Sequence, residues 1–348
     1  MLPDVMMLLP RFPAFAFMIF TLIYGILSGP ALSDEMLDEK SFDKWLGELR
    51  VEATERGIRA DIISDALDGV KLIPRVIELD RKQPEFTMTF DQYLGRVVSQ
   101  ARIKKGARLL RENRALLDEV SEKYGVQPQY IVALWGIETD FGRLTGGFSV
   151  VRALVTLSFD GRRSAYFRKE LLNALQILNE GHIVNAKMTG SWAGAMGQSQ
   201  FMPSSFLNFA VDYDGDGRRD IWTTRADVFA SAANYLSRSG WQGDQTWGRQ
   251  VRLPDGFDAA LVGHKVKKTL SEWQDIGVRQ TNSTDLPAYD MKASVILPDT
   301  GRGENPKASE KSNRAFLVYD NFRATLKWNR SDFFALAVGH LADAIVGR

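Results

Sequence analysis

The run Ile131-Val132-Ala133-Leu134-Trp135-Gly136-Ile137-Glu138-Thr139-Asp140-Phe141-Gly142-Arg143 sets one carboxylate among apolar side chains that would face every direction around a helix. A helix of that kind is expected to be buried. Glu138 follows Leu134 and Trp135 by four and three positions and so shares their face. A carboxyl desolvated in this way favours its neutral form, and a neutral acid near neutral pH is what protonating a glycosidic oxygen requires. Glu138 is therefore a candidate general acid. A structural Glu paired with Arg143 or another cation at a helix end is an equally open reading of the same pattern. Asp140 falls on another side of the helix and is a poor second catalytic carboxylate.

Two further segments carry chemistry. Gly190-Ser191-Trp192-Ala193-Gly194-Ala195-Met196-Gly197-Gln198-Ser199-Gln200-Phe201-Met202-Pro203-Ser204-Ser205 gathers small residues, amides and hydroxyls. Small residues let backbone approach a ligand, and Gln and Ser supply the neutral donors and acceptors that read sugar hydroxyls and acetamido groups. No Lys follows the glycines, which excludes a phosphate loop. Tight helix packing is the alternative. The segment Asp212-Tyr213-Asp214-Gly215-Asp216-Gly217-Arg218 opens as a calcium loop does, with acids at alternate positions and glycine at the sixth for the sharp turn. Thr223 replaces the usual bidentate Glu at the twelfth position. The expected ligands are therefore Asp212, Asp214, Asp216 and the Arg218 carbonyl, with Asp227 closing a longer loop; a solvated acidic turn is the other possibility.

Composition narrows the chemistry. The 348 residues contain no Cys, which removes disulfides, thiolate metal sites, cysteine nucleophiles and a lipid-modified N-terminal cysteine. The 3 His are scattered, which argues against a histidine metal cluster. With 44 Lys plus Arg against 43 Asp plus Glu, the chain has no electrostatic footprint for nucleic acid. Catalysis must rest on carboxylates, hydroxyls or amides.

The elements that must position these residues read as mostly helical. Phe12 to Leu27 is an apolar run short for a membrane span but suited to an export signal, with an uncleaved anchor as the alternative over 1–33. Phe42, Trp45, Leu46, Leu49 and Ala53 recur at helical spacing in an N-terminal helical segment over 34–86. A catalytic core over 87–244 contains a helical stretch from Ile103 to Tyr124 stopped by Gly125, and a helix opened by Pro128 and running through Phe141. Further helices are expected over Ser164 to Asn179 and Asp227 to Ser239, with another opening at Pro203. Turn-rich sequence over 245–315 has short extended pieces, Val251 to Leu253 and Ser294 to Leu297, which read as a small strand-containing insert. Residues 316–348 return to the core with a helix over Ser331 to Ile345. The expected fold class is mainly α, of the α+β kind.

Taken in order, Gly136 to Arg143, Gly190 to Ser205, the Asp212 loop, Ala233-Asn234-Tyr235 and Trp328-Asn329-Arg330-Ser331 resemble the membrane-bound lytic transglycosylase B family of murein-cleaving enzymes. The resemblance spans roughly Asp80 to the C-terminus. It implies a lysozyme-like helical core with an added helical domain, an EF-hand-like loop binding a structural calcium ion, a small β domain and no organic cofactor. It makes Glu138 the catalytic acid/base and places Tyr93, Ser191, Gln200, Tyr235 and Asn329 around the sugars. Trp328 would line the cleft. Two departures stand out: Trp328 and Phe334 occupy positions where family members carry aromatic hydroxyls, and the calcium loop is one residue longer before Asp227.

The family cuts the β-1,4 bond between N-acetylmuramic acid and N-acetylglucosamine without water. Ordinary glycosidases need two carboxylates flanking the bond, and this sequence offers one convincing buried carboxylate. The expected partner is the glycan strand of peptidoglycan, met outside the cytoplasm by a soluble, periplasmic monomer. The alternatives are a hydrolytic muramidase using the same Glu138, and a murein-binding protein without activity.

Overall fold

The computed structural model describes residues 39–81, 88–160, 162–299 and 314–347. The apolar run read as an export signal lies outside the described residues. The chain begins with α1 (Glu39–Glu55), α2 (Ala60–Leu67) and α3 (Pro74–Arg81), followed by α4 (Phe90–Val97), α5 (Gln100–Glu112), α6 (Arg114–Tyr124) and α7 (Pro128–Thr139). A two-residue strand β1 (Phe148–Ser149) leads into α8 (Val150–Phe159) and α9 (Ser164–Asn179), and β2 (Thr189–Gly190) pairs back antiparallel on β1. Then come α10 (Pro203–Phe209) and α11 (Arg225–Arg238). The remainder is β3 (Gly248–Arg252), β4 (Lys268–Thr269), α12 (Leu270–Asp275), β5 (Arg279–Gln280), β6 (Lys292–Ile296), β7 (Ala315–Val318), α13 (Asp320–Trp328) and α14 (Asp332–Ile345).

The apolar-all-round pattern of α7 has the predicted result. Ile131 through Gly136 are all buried, and α5, α6, α11 and α14 pack around the helix. The N-terminal helices dock through aromatic edges: Phe42 and Trp45 of α1 meet Phe159 at the end of α8 with ring centroids 5.1 and 5.6 Å apart. The single helical stretch expected from Ile103 to Tyr124 is two helices. Asn113 breaks it at φ −110°, ψ 20°, with its Nδ2 donating to the Leu109 carbonyl. Asn competes for backbone groups in this way and so terminates helices that propensity would continue. The helix opened by Pro128 also stops two residues before Phe141, for reasons that belong to the site.

The insert is a five-stranded antiparallel sheet in the order β4-β6-β7-β3-β5 with its own small core around Val251, Leu270, Trp273 and Val295. Strand β7 passes the expected boundary at residue 315 and runs to Val318. Alternate side chains serve two cores: Ala315 and Leu317 face the insert, whereas Phe316 and Val318 join the main helical core. A strand buried on both faces loses the polar alternation that marks most strands, so Ala315-Phe316-Leu317-Val318 looks in sequence like the start of a core helix. Through this shared strand the sheet fixes the position of α13, the element that carries Trp328.

Candidate active site

Glu138 occupies the last turn of α7, one residue before the helix ends. Asp140, Phe141 and Gly142 follow with φ of 49°, 60° and 78°, three successive left-handed residues that reverse the chain. Non-glycine residues adopt this conformation only when surroundings impose it. Here the Phe141 N–H donates to the Trp135 carbonyl at 3.1 Å, the Gly142 N–H to Thr139 Oγ1 at 3.0 Å, and the Leu144 N–H to the Thr139 carbonyl at 2.8 Å. The reversal sends the local cations to Asp140. Arg143 Nε sits 2.6 Å from its carboxylate, and Lys105 Nζ donates to its backbone carbonyl at 3.0 Å. The Arg143 pairing that sequence left open for Glu138 is made by Asp140.

Glu138 meets a neutral donor. The indole Nε1–H of Trp328, at the end of α13, donates to Glu138 Oε1 at 2.7 Å. Phe201 and Tyr235 hold that indole, their ring centroids 5.1 and 4.8 Å from it. Ile131, Leu134, Trp135, Val228, Phe229 and Ala232 supply an apolar wall, and among the described residues lining this cleft Glu138 is the one that titrates. Burial pushes its carboxyl from 4.5 up to about 8, with the Trp328 hydrogen bond pulling weakly the other way. The group is thus a protonated acid at neutral pH, held in orientation by a donor that carries no charge.

The glycine-rich segment forms a loop against this helix end. Gln198, which sequence reasoning did not single out, ties the two together: its Oε1 accepts from Trp135 Nε1 at 2.8 Å, its Nε2 donates to the Trp222 carbonyl at 2.8 Å, and its own carbonyl accepts from Thr139 Oγ1 at 3.0 Å. Gly142 is required beside it, because a Cβ there would lie 2.2 Å from Gln198 Oε1. Ser191 is buried, and its Oγ accepts from the N–H groups of Ala193 and Ala195, which shapes the loop from inside. Gln200, at φ 48°, donates through Nε2 to the Thr145 and Gly197 carbonyls, so its Oε1 is the end able to accept from a ligand N–H.

The other candidates fall into two groups. Tyr235 and Trp328 stand together at Glu138, but the Tyr235 hydroxyl donates to the Lys327 carbonyl at 2.5 Å and clamps the end of α13. Asn329 is the C-cap of α13, and its Oδ1 accepts from the Ser331 N–H at 3.0 Å at the start of α14. Tyr93 is buried on α4, with its ring 5.5 Å from Phe333 of α14. Trp328 was expected only as a cleft wall. Its bond to Glu138 spans 190 positions and has no local sequence signal.

The aspartate loop lies between α10 and α11. Asp212, Asp214 and Asp227 bring carboxylate oxygens within 4.8 Å of one another. Asp216 turns away: its carboxylate accepts from the Arg218 backbone and guanidinium at 2.8 and 2.9 Å. Asp227, in the first turn of α11, is fully buried and accepts from the N–H groups of Tyr213 and Asp220, both at 2.7 Å. Burial, with Asp214 and Asp212 adding repulsion, pushes its carboxyl up to about 6. Three converging carboxylates, one of them desolvated, fit a hard divalent cation that seeks oxygen ligands.

Comparison with known proteins agrees with this geometry. A family model described as the transglycosylase SLT domain matches residues 41–343. Membrane-bound lytic murein transglycosylase B of Escherichia coli (strain K12) is 32% identical over 260 residues, which is 73% of this chain and 66% of that protein's length. Among solved structures, SltB3 from Pseudomonas aeruginosa in complex with NAG-NAM-pentapeptide superposes with a TM-score of 0.83 at 43% identity, covering 88% of this chain and 80% of its own. The Escherichia coli lytic transglycosylase Slt35 in complex with calcium superposes with a TM-score of 0.71 at 26% identity, covering 91% of this chain and 95% of its own.

Proposed function

Because this chain belongs to the family of the transglycosylase SLT domain, we propose that it is a lytic murein transglycosylase that cleaves the β-1,4 bond between N-acetylmuramic acid and N-acetylglucosamine and leaves 1,6-anhydromuramyl ends. The observation that carries the reading is Glu138 itself: a carboxyl pushed toward its protonated form by burial, hydrogen-bonded to Trp328, and with no second carboxylate among the described residues that line the small cavity beside it. Ordinary inverting and retaining hydrolases use a second carboxylate, for which a substrate's own 2-acetamido group can stand in.

In the proposed reaction Glu138 gives its proton to the glycosidic oxygen as the bond to the muramyl anomeric carbon breaks. The carbonyl oxygen of the substrate's 2-acetamido group bonds to that carbon and takes up the developing positive charge. Glu138, now an anion, removes the proton of the C6 hydroxyl; O6 displaces the acetamido oxygen, the anhydro ring closes, and Glu138 is an acid again. Trp328 donates to Oε1 throughout and more strongly to the anion, which steadies the intermediate stage. Gln200 Oε1 is suited to accept from the acetamido N–H, while Ser191, Tyr235 and Asn329 act by shaping the loop and the α13–α14 corner; Tyr93 completes the groove.

Asp212, Asp214 and Asp227, with the Arg218 carbonyl and a reoriented Asp216, would hold calcium, whose charge would neutralise the cluster and order the loop. Its proposed role is stability. The substrate places the enzyme at the cell wall, acting as a monomer on glycan strands. Among the described residues no helix is long and apolar enough to cross a membrane.

The test is to digest purified murein with the wild-type chain and with Glu138→Gln and to identify the muropeptides by mass spectrometry. Anhydromuramyl ends, lighter by one water than reducing ends and absent with the variant, are the expected result. Reducing ends would mean a hydrolase on the same site, and bound glycan with no product would mean a murein-binding protein.

A further inference from the structure

Ser199 is a buried polar residue in the active-site region that the proposed reaction does not use. It is 3% exposed, and its Oγ has no hydrogen-bond partner among the described residues. A hydroxyl in that position is costly to leave unsatisfied. It lines the same small cavity as Glu138, a space of about 10 Å³ enclosed mainly by Leu134, Trp135, Val228 and Phe229. Such a space is large enough for one water and far too small for a sugar ring.

The other polar atoms of the cavity wall are committed. Gln198 Oε1 and Nε2 serve Trp135 and the Trp222 carbonyl, and the Trp328 N–H serves Glu138 Oε1. What is left is Ser199 Oγ on the loop and the second carboxyl oxygen of Glu138 on the helix, on two residues that line one water-sized space. We propose that Ser199 holds a single buried water against Glu138 Oε2 and so acts as a positioning residue for that carboxyl. The inference rests on the reading of Glu138 as the acid.

A hydroxyl and a water can both reverse direction. The relay can donate to a lone pair of Glu138 Oε2 while the acid proton is directed at the glycosidic oxygen, and it donates more strongly once Glu138 is ionised, because the acceptor is then charged. The relay therefore complements Trp328: one donor for each oxygen of the anion formed halfway through the cycle. The charged groups around the site do not duplicate it. Asp140 at the end of α7 is paired with Lys105 of α5 and with Arg143. Arg225 of α11 lies over the Trp135 ring at 5.8 Å, and Arg330 acts on Tyr235.

The experiment measures Glu138 directly, so it reads out even if turnover fails. Infrared titration of the carboxyl, assigned by subtraction of the Glu138→Gln spectrum, is compared for the wild type, Ser199→Ala and Ser199→Thr. Loss of the hydroxyl is expected to raise the titration midpoint by about half to one pH unit. The Thr variant, which keeps the hydroxyl, should keep the wild-type midpoint. On murein, Ser199→Ala should lower kcat several-fold with KM unchanged, because the hydroxyl is sealed from the glycan. An unchanged midpoint in Ser199→Ala would overturn the proposal, as would a raised KM at constant kcat, which would put Ser199 in contact with sugar. If the wild type made no anhydro product but the midpoint still moved, the failure would lie in the proposed reaction and the Ser199 relay would stand.

Discussion

Replacing Glu138 by Gln should make the folded protein more stable at alkaline pH. Burial holds the Glu138 carboxyl at about 8, against 4.5 for the same group in an unfolded chain. Between those values the native state keeps a proton that the unfolded state has released. Stability therefore falls as pH rises, by about 1.4 kcal/mol per pH unit for one proton. Across the whole interval this is at most ~5 kcal/mol, and the partial exposure of the residue reduces it to roughly half. Gln removes the titration and keeps an oxygen for Trp328 Nε1, but adds a buried amide that costs about 1–2 kcal/mol if its N–H groups lack partners. The two stability curves should accordingly cross. At pH 5 the variant is equal to or weaker than the wild type, and by pH 8 it is stronger by about 1 kcal/mol, with little further change above that. Urea unfolding at intervals from pH 5 to 8.5, with calcium saturating so that Asp227 is the same in both chains, measures the difference. A constant offset across that range would refute the reasoning, because it would mean that the native carboxyl ionises like an exposed one.

Trp328→Phe keeps an aromatic ring against Tyr235 and Phe201 but deletes the donor to Glu138; a hydrogen bond to a charged group is worth ~1.5–3 kcal/mol, so kcat should fall about 10- to 100-fold. The alkaline limb of its pH profile should move upward, since the Trp328 bond favours the anion; a profile superimposable on the wild type would count against the contact. Gly142→Ala sets a side chain at φ 78° and 2.2 Å from Gln198 Oε1, and should lose ~2–4 kcal/mol of stability together with most activity; a well-folded, active variant would show that the Trp135–Gln198–Trp222 tie is dispensable. Removing calcium with a chelator should lower Tm by several degrees, as expected for about 3 kcal/mol of linked binding energy, and leave kcat at 25 °C unchanged. Asp227→Asn should abolish the calcium-dependent part of Tm, and loss of turnover in a still-folded, chelated enzyme would assign the ion to chemistry.

What the sequence revealed and what it hid divide along the range of the interactions. The buried carboxyl was legible because a helix apolar on all sides with one carboxylate is a local pattern, and the helix starts at Pro128 and Pro203 and the stop at Gly125 follow from backbone constraints within a turn. The aspartate loop was legible for the same reason, although the convergence is of Asp212, Asp214 and Asp227, with Asp216 drawn off by Arg218. The neutral partner of Glu138 was hidden because Trp328 arrives from α13, whose placement depends on a strand shared between two cores. Gln198 sat in plain view within the glycine-rich run, but no spacing rule distinguishes an amide that reads sugar from one that staples a loop. The break at Asn113 was hidden because the residues on either side have good helix propensity and the decisive interaction is a side-chain bond to the Leu109 carbonyl.

The charge arrangement around α7 is compatible with the proposed role of Glu138 as a buried acid. A cation against Glu138 would offset its desolvation and ionise it at neutral pH, and a structural ion pair would take the place of a proton donor. Lys105 and Arg143 are the cations at this end of α7, and the left-handed turn after Thr139 delivers Asp140 to both. Asp140 is a poor second catalytic carboxylate because it is the counter-ion that keeps positive charge away from the first. The strain of Asp140 and Phe141 at positive φ thus has a functional correlate: it separates two carboxylates two residues apart into one that is neutralised by salt bridges and one that is neutralised by its own proton. The indole of Trp328 then orients the second without changing its charge, which a Lys or Arg in that position could not do.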